Sequence, residues 1–171
     1  MRRARLLLAI LAVGALGCGY SLVGKGSTLP PEVQKVYLKA FENSTERVRV
    51  DQILTQAVAD ELVNRQSFEV VNSAEGADAE IVGTVVSFAV TPVTFDADRR
   101  ATEYEITITA SVQLHQFSPD RILWKNDRYQ FRDSYQLEAS ELGFLDRETP
   151  AISATAKKFA ETMVSDLLEG F

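Results

Sequence analysis

The sequence predicts an α+β fold: a two-layer sandwich with two amphipathic helices packed on one face of a mixed, roughly four- to five-stranded sheet. Three observations carry that expectation. Apolar residues recur at helical spacing between Val50 and Leu62, and again between Ile152 and Leu168. Apolar and polar residues alternate with period two between Tyr104 and Leu114. The elements run strand, helix, strand, three-strand meander, helix, so both helices can dry one sheet face while the other stays polar.

Residues 33–41, VQKVYLKAF, are rich in β-formers and read as the first strand. The polar stretch FENSTERVRVD offers Asn43, Ser44 or Asp51 as N-caps for the helix that follows. In that helix Val50, Ile53, Leu54, Ala57, Val58 and Leu62 form the apolar stripe, and Gln52, Gln56, Asp60 and Asn64 the polar face. Residues 67–71, SFEVV, read as a short strand and NSAEGADAE as a turn. EIVGTVVSFAVTPV reads as a long strand expected to break near Pro92, because proline has no N–H to give a ladder. Residues 94–101, TFDADRRA, form a polar hairpin connection into the alternating strand.

In that strand Tyr104, Ile106, Ile108, Ala110, Val112 and Leu114 are apolar, with Glu105, Thr107, Thr109, Ser111 and Gln113 between them. SPDR is a turn. The next strand begins with Ile122 and Trp124 in phase, whereas Tyr129 and Phe131 have the opposite parity. A bulge near Asn126 would restore the register. Residues 132–148 read as irregular and acidic. Thr149 then caps the last helix with Pro150 at its first position. The apolar stripe of that helix is Ile152, Ala156, Phe159, Ala160, Met163, Val164, Leu167 and Leu168, and Gly170 ends it.

The N-terminus follows a different logic. Arg2, Arg3 and Arg5 precede the apolar run of residues 6–16. That run is shorter than the roughly 20 residues of a spanning helix. A basic start before a short apolar run is the build of a secretory signal peptide. Residues 1–17 therefore read as a lipoprotein signal peptide, residues 18–32 as a lipidated Cys18 with a flexible tether, and residues 33–171 as a single α+β domain. Cys18 is the one cysteine, so an intrachain disulfide is excluded. A reactive thiol would need an activating partner such as histidine, and the lone His115 stands in a strand pattern. Ala15 and Gly17 are small, as signal cleavage prefers. The setting resembles a bacterial lipobox, although Ala15-Leu16 reverses the usual order. Lipidation is the favoured reading, ahead of an ordinary signal-peptide residue or a reactive thiol.

The net charge is −6, and loss of the three N-terminal arginines would leave the mature chain more acidic still. Such a balance argues against general nucleic-acid binding and against electrostatic membrane binding. One histidine and one cysteine cannot build a Cys/His metal cluster, and P-loop, GxGxxG, HExxH and GxSxG patterns are absent. No catalytic residue, metal or cofactor is expected, and the chain does not read as an enzyme. Asp96 and Asp98 read as a solvated hairpin tip, and Glu103 and Glu105 as part of a solvated strand face. Arg99 and Arg100 are the candidate ligand-binding pair, because guanidinium forks match phosphate and carboxylate groups. Trp124, Tyr129, Phe131 and Tyr135 form an aromatic cluster that suits either core packing or an interface anchor.

The stretch CGYSLVGKGSTLPPEVQKVYLKAFEN, then LTQAVADELVNR, FEVVNSAEGADAEIVGTVVSF and the closing LLEGF resemble the LptE family, lipopolysaccharide-assembly lipoproteins of Gram-negative bacteria. The resemblance implies a lipid-anchored protein on the periplasmic face of the outer membrane, a sorting compatible with Gly19. It implies a folded domain that plugs the LptD β-barrel, helps it assemble and helps pass lipopolysaccharide to the outer leaflet. The implied partners are that barrel, lipopolysaccharide and the membrane through the anchor. Arg99 and Arg100, near a hairpin tip, would be the lipopolysaccharide contacts. VYLKAFENST, ILTQAVADELV, FEVV and ADAEIVGTV are also similar to domains of peptidoglycan-synthase activators and curli-type secretion lipoproteins, which imply an activator or scaffold of another periplasmic system.

Overall fold

Eight elements make up the computed structural model, which describes residues 29–136 and 144–170. They are β1 (Lys35–Leu38), β2 (Glu42–Asn43), α1 (Val50–Arg65), β3 (Glu69–Val71), β4 (Ala79–Phe95), β5 (Ala101–Gln116), β6 (Arg121–Gln136) and α2 (Phe144–Glu169). The expected signal peptide, Cys18 and the tether as far as residue 28 lie outside the described residues.

One six-stranded mixed sheet runs in the order β3-β1-β4-β5-β6, with β2 also pairing to β4. The β1 strand is parallel to both β3 and β4, and β4, β5 and β6 form an antiparallel meander. Both helices pack on one face, giving the two-layer α+β sandwich that the sequence predicts. Leu54, Val58 and Leu62 of α1 meet Phe159, Met163 and Leu167 of α2 over Ile81, Ile106, Ile108 and Leu114 of the sheet, all fully buried. At about 25 cal/mol per Å² of apolar surface removed from water, this one cluster is the main source of stability.

The first strand is shorter than residues 33–41 because the chain breaks between β1 and β2 to turn Phe41 inward. The Phe41 N–H donates to Thr55 Oγ1 at 2.9 Å, and the Thr55 hydroxyl donates to the Asp51 carbonyl at 2.7 Å. The Phe41 ring then lies flat on Gly83, where a methyl group would stand 2.5 Å from its carbons. β2 resumes on the same side of β4, pairing Glu42 with Thr84 and Asn43 with Val85.

Helix α1 starts at the expected place with an unexpected cap. Its N-cap is Arg49, left-handed at φ 68° and without a side-chain cap bond. Asn43 is held in β2 and cannot reach the helix. Its amide instead shapes the intervening loop, accepting from Thr45 N at 2.9 Å and donating to the Arg47 carbonyl at 2.7 Å. Asp51 lies inside the first turn, where it complements the helix dipole.

The meander strands are longer than their patterns suggest. β4 passes through Pro92 to Phe95 instead of breaking, because Pro92 sits beside a register shift that spares its missing N–H. In β6 the pairs Ala110–Tyr129 and Val112–Asn126 leave one extra residue on β6, the bulge that the parity switch required. A second shift between Leu114–Trp124 and His115–Ile122 turns Ile122 outward to 54% exposure, so Ile122 and Trp124 do not share a face. β6 also continues to Gln136, so residues 132–136 are strand and not irregular. Asp133 faces the helices there, accepting from Lys158 Nζ at 2.8 Å.

Helix α2 begins at Phe144 and carries Pro150 inside it, correcting the expected start at Thr149-Pro150. The proline forgoes one backbone bond and the helix runs on. Tyr129 OH donates to Asp166 Oδ2 at 2.6 Å, fixing the far end of α2 to β6. Gly170, at φ 77°, ends the helix with its N–H on the Asp166 carbonyl.

Gly83→Ala is expected to destabilise the fold by about 1–3 kcal/mol in urea unfolding, through overpacking against Phe41. In a Phe41→Leu background the same change should cost clearly less. Strict additivity of the two substitutions would refute the ring contact as the cause.

Candidate functional site

Two helices leave one side of the meander uncovered by any described element. The strand alternation decides what stands there. Thr84 and Ala89 come from β4, Thr107, Ser111 and Gln113 from β5, and Lys125, Gln130 and Arg132 from β6. Short hydroxyls and amides dominate the middle of this face, Val82 and the exposed Ile122 share its His115 end, and the long charged side chains bond within it. Arg132 Nη2 donates to Gln130 Oε1 at 3.1 Å, and Lys125 Nζ pairs with Asp127 at 2.9 Å. Thr107 and its neighbours therefore form a polar, self-satisfied surface that can meet water or another polar wall.

Glu103 belongs to a tighter group. Its carboxylate accepts from Ser134 Oγ and Thr94 Oγ1, both at 2.8 Å. The Ser134 hydrogen bond, then that from Thr94, hold its pKa below the ordinary value of 4.5. The charge is solvated and hydrogen-bonded, as the sequence suggested for this strand face, and it pins the distal ends of β4, β5 and β6 together.

At the other end of the face, His115 Nε2 lies 2.6 Å from Asp120 Oδ1, and Nδ1 lies 3.5 Å from Glu80 Oε1. The Asp120 hydrogen bond is the largest of the causes that raise its pKa above 6.5, and Glu80 adds to it against the cost of burial. The ring also stands edge-on to Phe117. On the edge of the same region, the Asp78 carboxylate accepts the N–H groups of Lys35 at 2.7 Å and Gln34 at 2.9 Å, which hold its pKa below 3.8.

The β4–β5 hairpin carries Arg99 and Arg100 side by side at its tip. Asp96 builds that tip: its Oδ1 accepts from Asp98 N at 2.9 Å and Arg100 N at 2.8 Å, while Arg99 N donates to its carbonyl at 3.1 Å. Arg99 takes the left-handed position at φ 62° that a glycine would ordinarily hold. Arg100 Nη1 lies 3.7 Å from Asp98 Oδ2, a well-exposed pair of small energetic weight. Phe95 and Val93, 56% and 49% exposed, stand just behind the tip. The tip thus joins a guanidinium pair to apolar side chains.

The aromatic cluster is divided by the structure. Tyr129 and Phe131 stand edge-on to Phe159 at 5.5 and 6.4 Å, and Trp124 packs on Tyr129, so these are core residues beneath α2. Tyr104 and Tyr135 stack at 5.7 Å across β5 and β6 on the helix side. Among the described residues no group of three or more His, Cys, Asp or Glu converges as a metal site, and no helix is long and apolar enough to cross a membrane. Cys18 lies outside the described residues.

One place escaped sequence reasoning. Glu46, Arg47, Val48 and Arg49 of the β2–α1 loop face Thr149, Ile152 and Ser153 of α2 across a cleft of about 520 Å³. Arg47 also lies over the Phe88 ring at 5.7 Å. The signal present in the sequence was an apolar residue bracketed by two arginines outside any helix.

The sequence profile of the LptE family, described as lipopolysaccharide-assembly, matches residues 33–167. Comparison with curated proteins gives no match. Among solved structures, the PelC dodecamer from Paraburkholderia phytofirmans is 15% identical over 84% of this chain and 95% of its own, with a TM-score of 0.53. The solution structure of an uncharacterized lipoprotein B from Nitrosomonas europaea is 16% identical over 88% of each chain, with a TM-score of 0.51. The rare lipoprotein B from Shewanella oneidensis is 14% identical over 78% of this chain and 93% of its own, at 0.50. At these identities the likeness is one of fold.

The His115 contacts set a pH dependence. A raised pKa means that the clamp with Asp120 stabilises fully below pH 6.5 and fades as pH rises through the higher folded value. An NMR titration should place His115 above 6.5, and Asp120→Asn should move it down. An unchanged midpoint in that variant would show that the Asp120 contact is not formed in solution.

Proposed function

We infer the function from one premise: this chain belongs to the LptE family of lipopolysaccharide assembly, whose members are assembly factors and not enzymes. On that premise the protein is a lipoprotein anchored through Cys18 to the periplasmic face of the outer membrane. Its domain plugs the lumen of an LptD-like β-barrel, helps the barrel assemble and takes part in moving lipopolysaccharide to the outer leaflet. Residues 1–17 are then the signal peptide, residues 18–32 the acylated cysteine and its tether, and residues 33–171 the plug.

The observation that supports this reading most is the uncovered face of β4, β5 and β6. A barrel lumen is polar and wet. A plug for it needs a stiff wall of short hydrogen-bonding side chains that loses little on partial dehydration, since trapped water can bridge hydroxyls and amides on both sides. Thr84, Thr107, Ser111, Gln113 and Gln130 supply that chemistry on a sheet backed by the core. The hairpin carries Arg99 and Arg100 outward with Phe95 behind them, a combination that suits a phosphorylated glycolipid. Acylation supplies about 0.8 kcal/mol per buried CH₂, and stable anchoring takes more than one chain.

Affinity purification of the native protein from detergent-solubilised outer membranes should return a large β-barrel in stoichiometric amount. The intact mass of the mature chain should begin at Cys18 and include acyl groups. Thr84→Arg with Thr107→Arg should abolish barrel recovery, and Gln52→Arg on the outer face of α1 should not. Absence of any barrel partner would overturn the reading. Altered cell-wall synthesis with normal surface lipopolysaccharide on depletion would favour the activator or scaffold instead.

A further inference from the structure

We propose that the outer edge of β6 over residues 129–134 pairs, backbone to backbone, with a strand of alternating polarity at the open edge of the barrel before that barrel closes, an inference that rests on the assembly-factor premise. The sheet has two edges. β3 forms one with 3 residues, and β6 forms the other with 16. Among the described residues no strand lies beyond β6. The edge of a long strand presents a row of backbone donors and acceptors that a further strand can take up.

The two halves of β6 differ in how they treat such a visitor. Both register shifts with β5 fall before residue 129, in the half that also carries Arg121, Lys125 and Arg128. Bulges and cations of this kind are the usual defence of an edge against pairing. Residues 129–134 instead match Ala110 to Glu105 one for one, so their backbone is regular. Their polarity selects the occupant. Gln130, Arg132 and Ser134 stand on the open-face side, and Tyr129, Phe131 and Asp133 on the helix side. Lys158 compensates Asp133 at 2.8 Å, and Phe131 is only half-buried, so an apolar residue laid beside it gains cover. The fitting strand is therefore polar on one side and apolar on the other, which is the dyad pattern of a membrane β-strand. A second copy of β6 fits worse. Of the face-aligned antiparallel registers centred on residues 131–133, two set Arg132 against Arg132 or Asp133 against Asp133. The third brings Ser134 of each copy opposite Arg128, where the bulge interrupts the ladder. A closed barrel has no edge to offer, so the pairing belongs to the stage before closure.

The test is photocrosslinking in cells with the full chain, carrying a benzophenone side chain in place of Gln130, Arg132 or Gln113 in separate variants. Newly made barrel is followed by pulse–chase, and adducts are mapped by mass spectrometry. The Gln130 and Arg132 probes should label one barrel segment at positions two residues apart, the signature of a ladder. Those adducts should form in the pulse and be lost in the chase as the barrel closes, whereas the Gln113 probe, on the open face, should keep labelling the closed barrel. Barrel adducts without the two-residue register, adducts from Gln130 and Arg132 that persist after closure, or adducts confined to a second copy of this chain or to residues 18–28 would each overturn the proposal. Labelling of the barrel from Gln113 alone would overturn the edge pairing and leave the plug standing. Failure of all three probes, with no barrel co-purifying with the unmodified chain, would overturn both.

Discussion

Helix α2 carries an apolar stripe from Ile152 to Leu168, and α1 carries a second from Val50 to Leu62. Each stripe must leave water, and a sheet offers two faces on which to do so. Here both helices use the same face, packing side by side across the meander. That single allocation fixes the rest of the molecule. The covered face becomes one contiguous core, and the opposite face has to be stable in water or against a polar partner. The β5 strand meets both demands at once, with Ile106, Ile108 and Leu114 inward and Thr107, Ser111 and Gln113 outward.

Burial alone would not fix where the long helix lies on the strands. Directional contacts do that. Tyr129 reaches Asp166, and Asp133 reaches Lys158, with the buried Thr155 hydroxyl 3.4 Å from the same carboxylate. Desolvation, then the Asp166 contact, push the Tyr129 hydroxyl well above its usual range, so it remains a proton donor at any physiological pH. The Lys158–Asp133 pair is half exposed and of modest energetic weight. Its value is registration: it lets an acidic residue occupy the helix-facing side of β6 without an uncompensated charge. The close approach of Phe41 to Gly83 does the equivalent for the first strand, turning a chain break into a packed corner.

Periodicity made the architecture legible. The alternation in β5 and the two apolar stripes suffice for two helices on one sheet face, and the parity switch between Trp124 and Tyr129 implies the bulge that the pairing of β5 with β6 contains. What stayed hidden depends on pairing across long sequence separations. Residues 132–136 lack a strand pattern of their own and are strand because β5 offers partners, Tyr104 to Tyr135 and Ile106 to Asp133. Ile122 leaves the core because a second register shift intervenes. The cap of α1 was misplaced because Asn43 is claimed by β4, a contact that local capping rules cannot see. The cleft residues Arg47 and Arg49 passed unremarked for the same reason, since the wall that gives them meaning lies about a hundred residues away at Ile152.

The electrostatic design follows from the same division of faces. An acidic body repels phosphate-rich surfaces in general, and the screening length of about 8 Å at physiological salt confines any attraction to the immediate neighbourhood of a cation. The hairpin tip, where Arg99 and Arg100 stand side by side, is therefore a local exception. It is bordered by the exposed Phe95 and Val93, and Asp98 lies close to Arg100. That neighbouring carboxylate weakens simple capture of a bare anion. A ligand that adds apolar contact to charge recovers the difference. On the proposed reading of this tip, a preference for amphiphiles over free anions would come from the surrounding negative charge as much as from the arginines themselves.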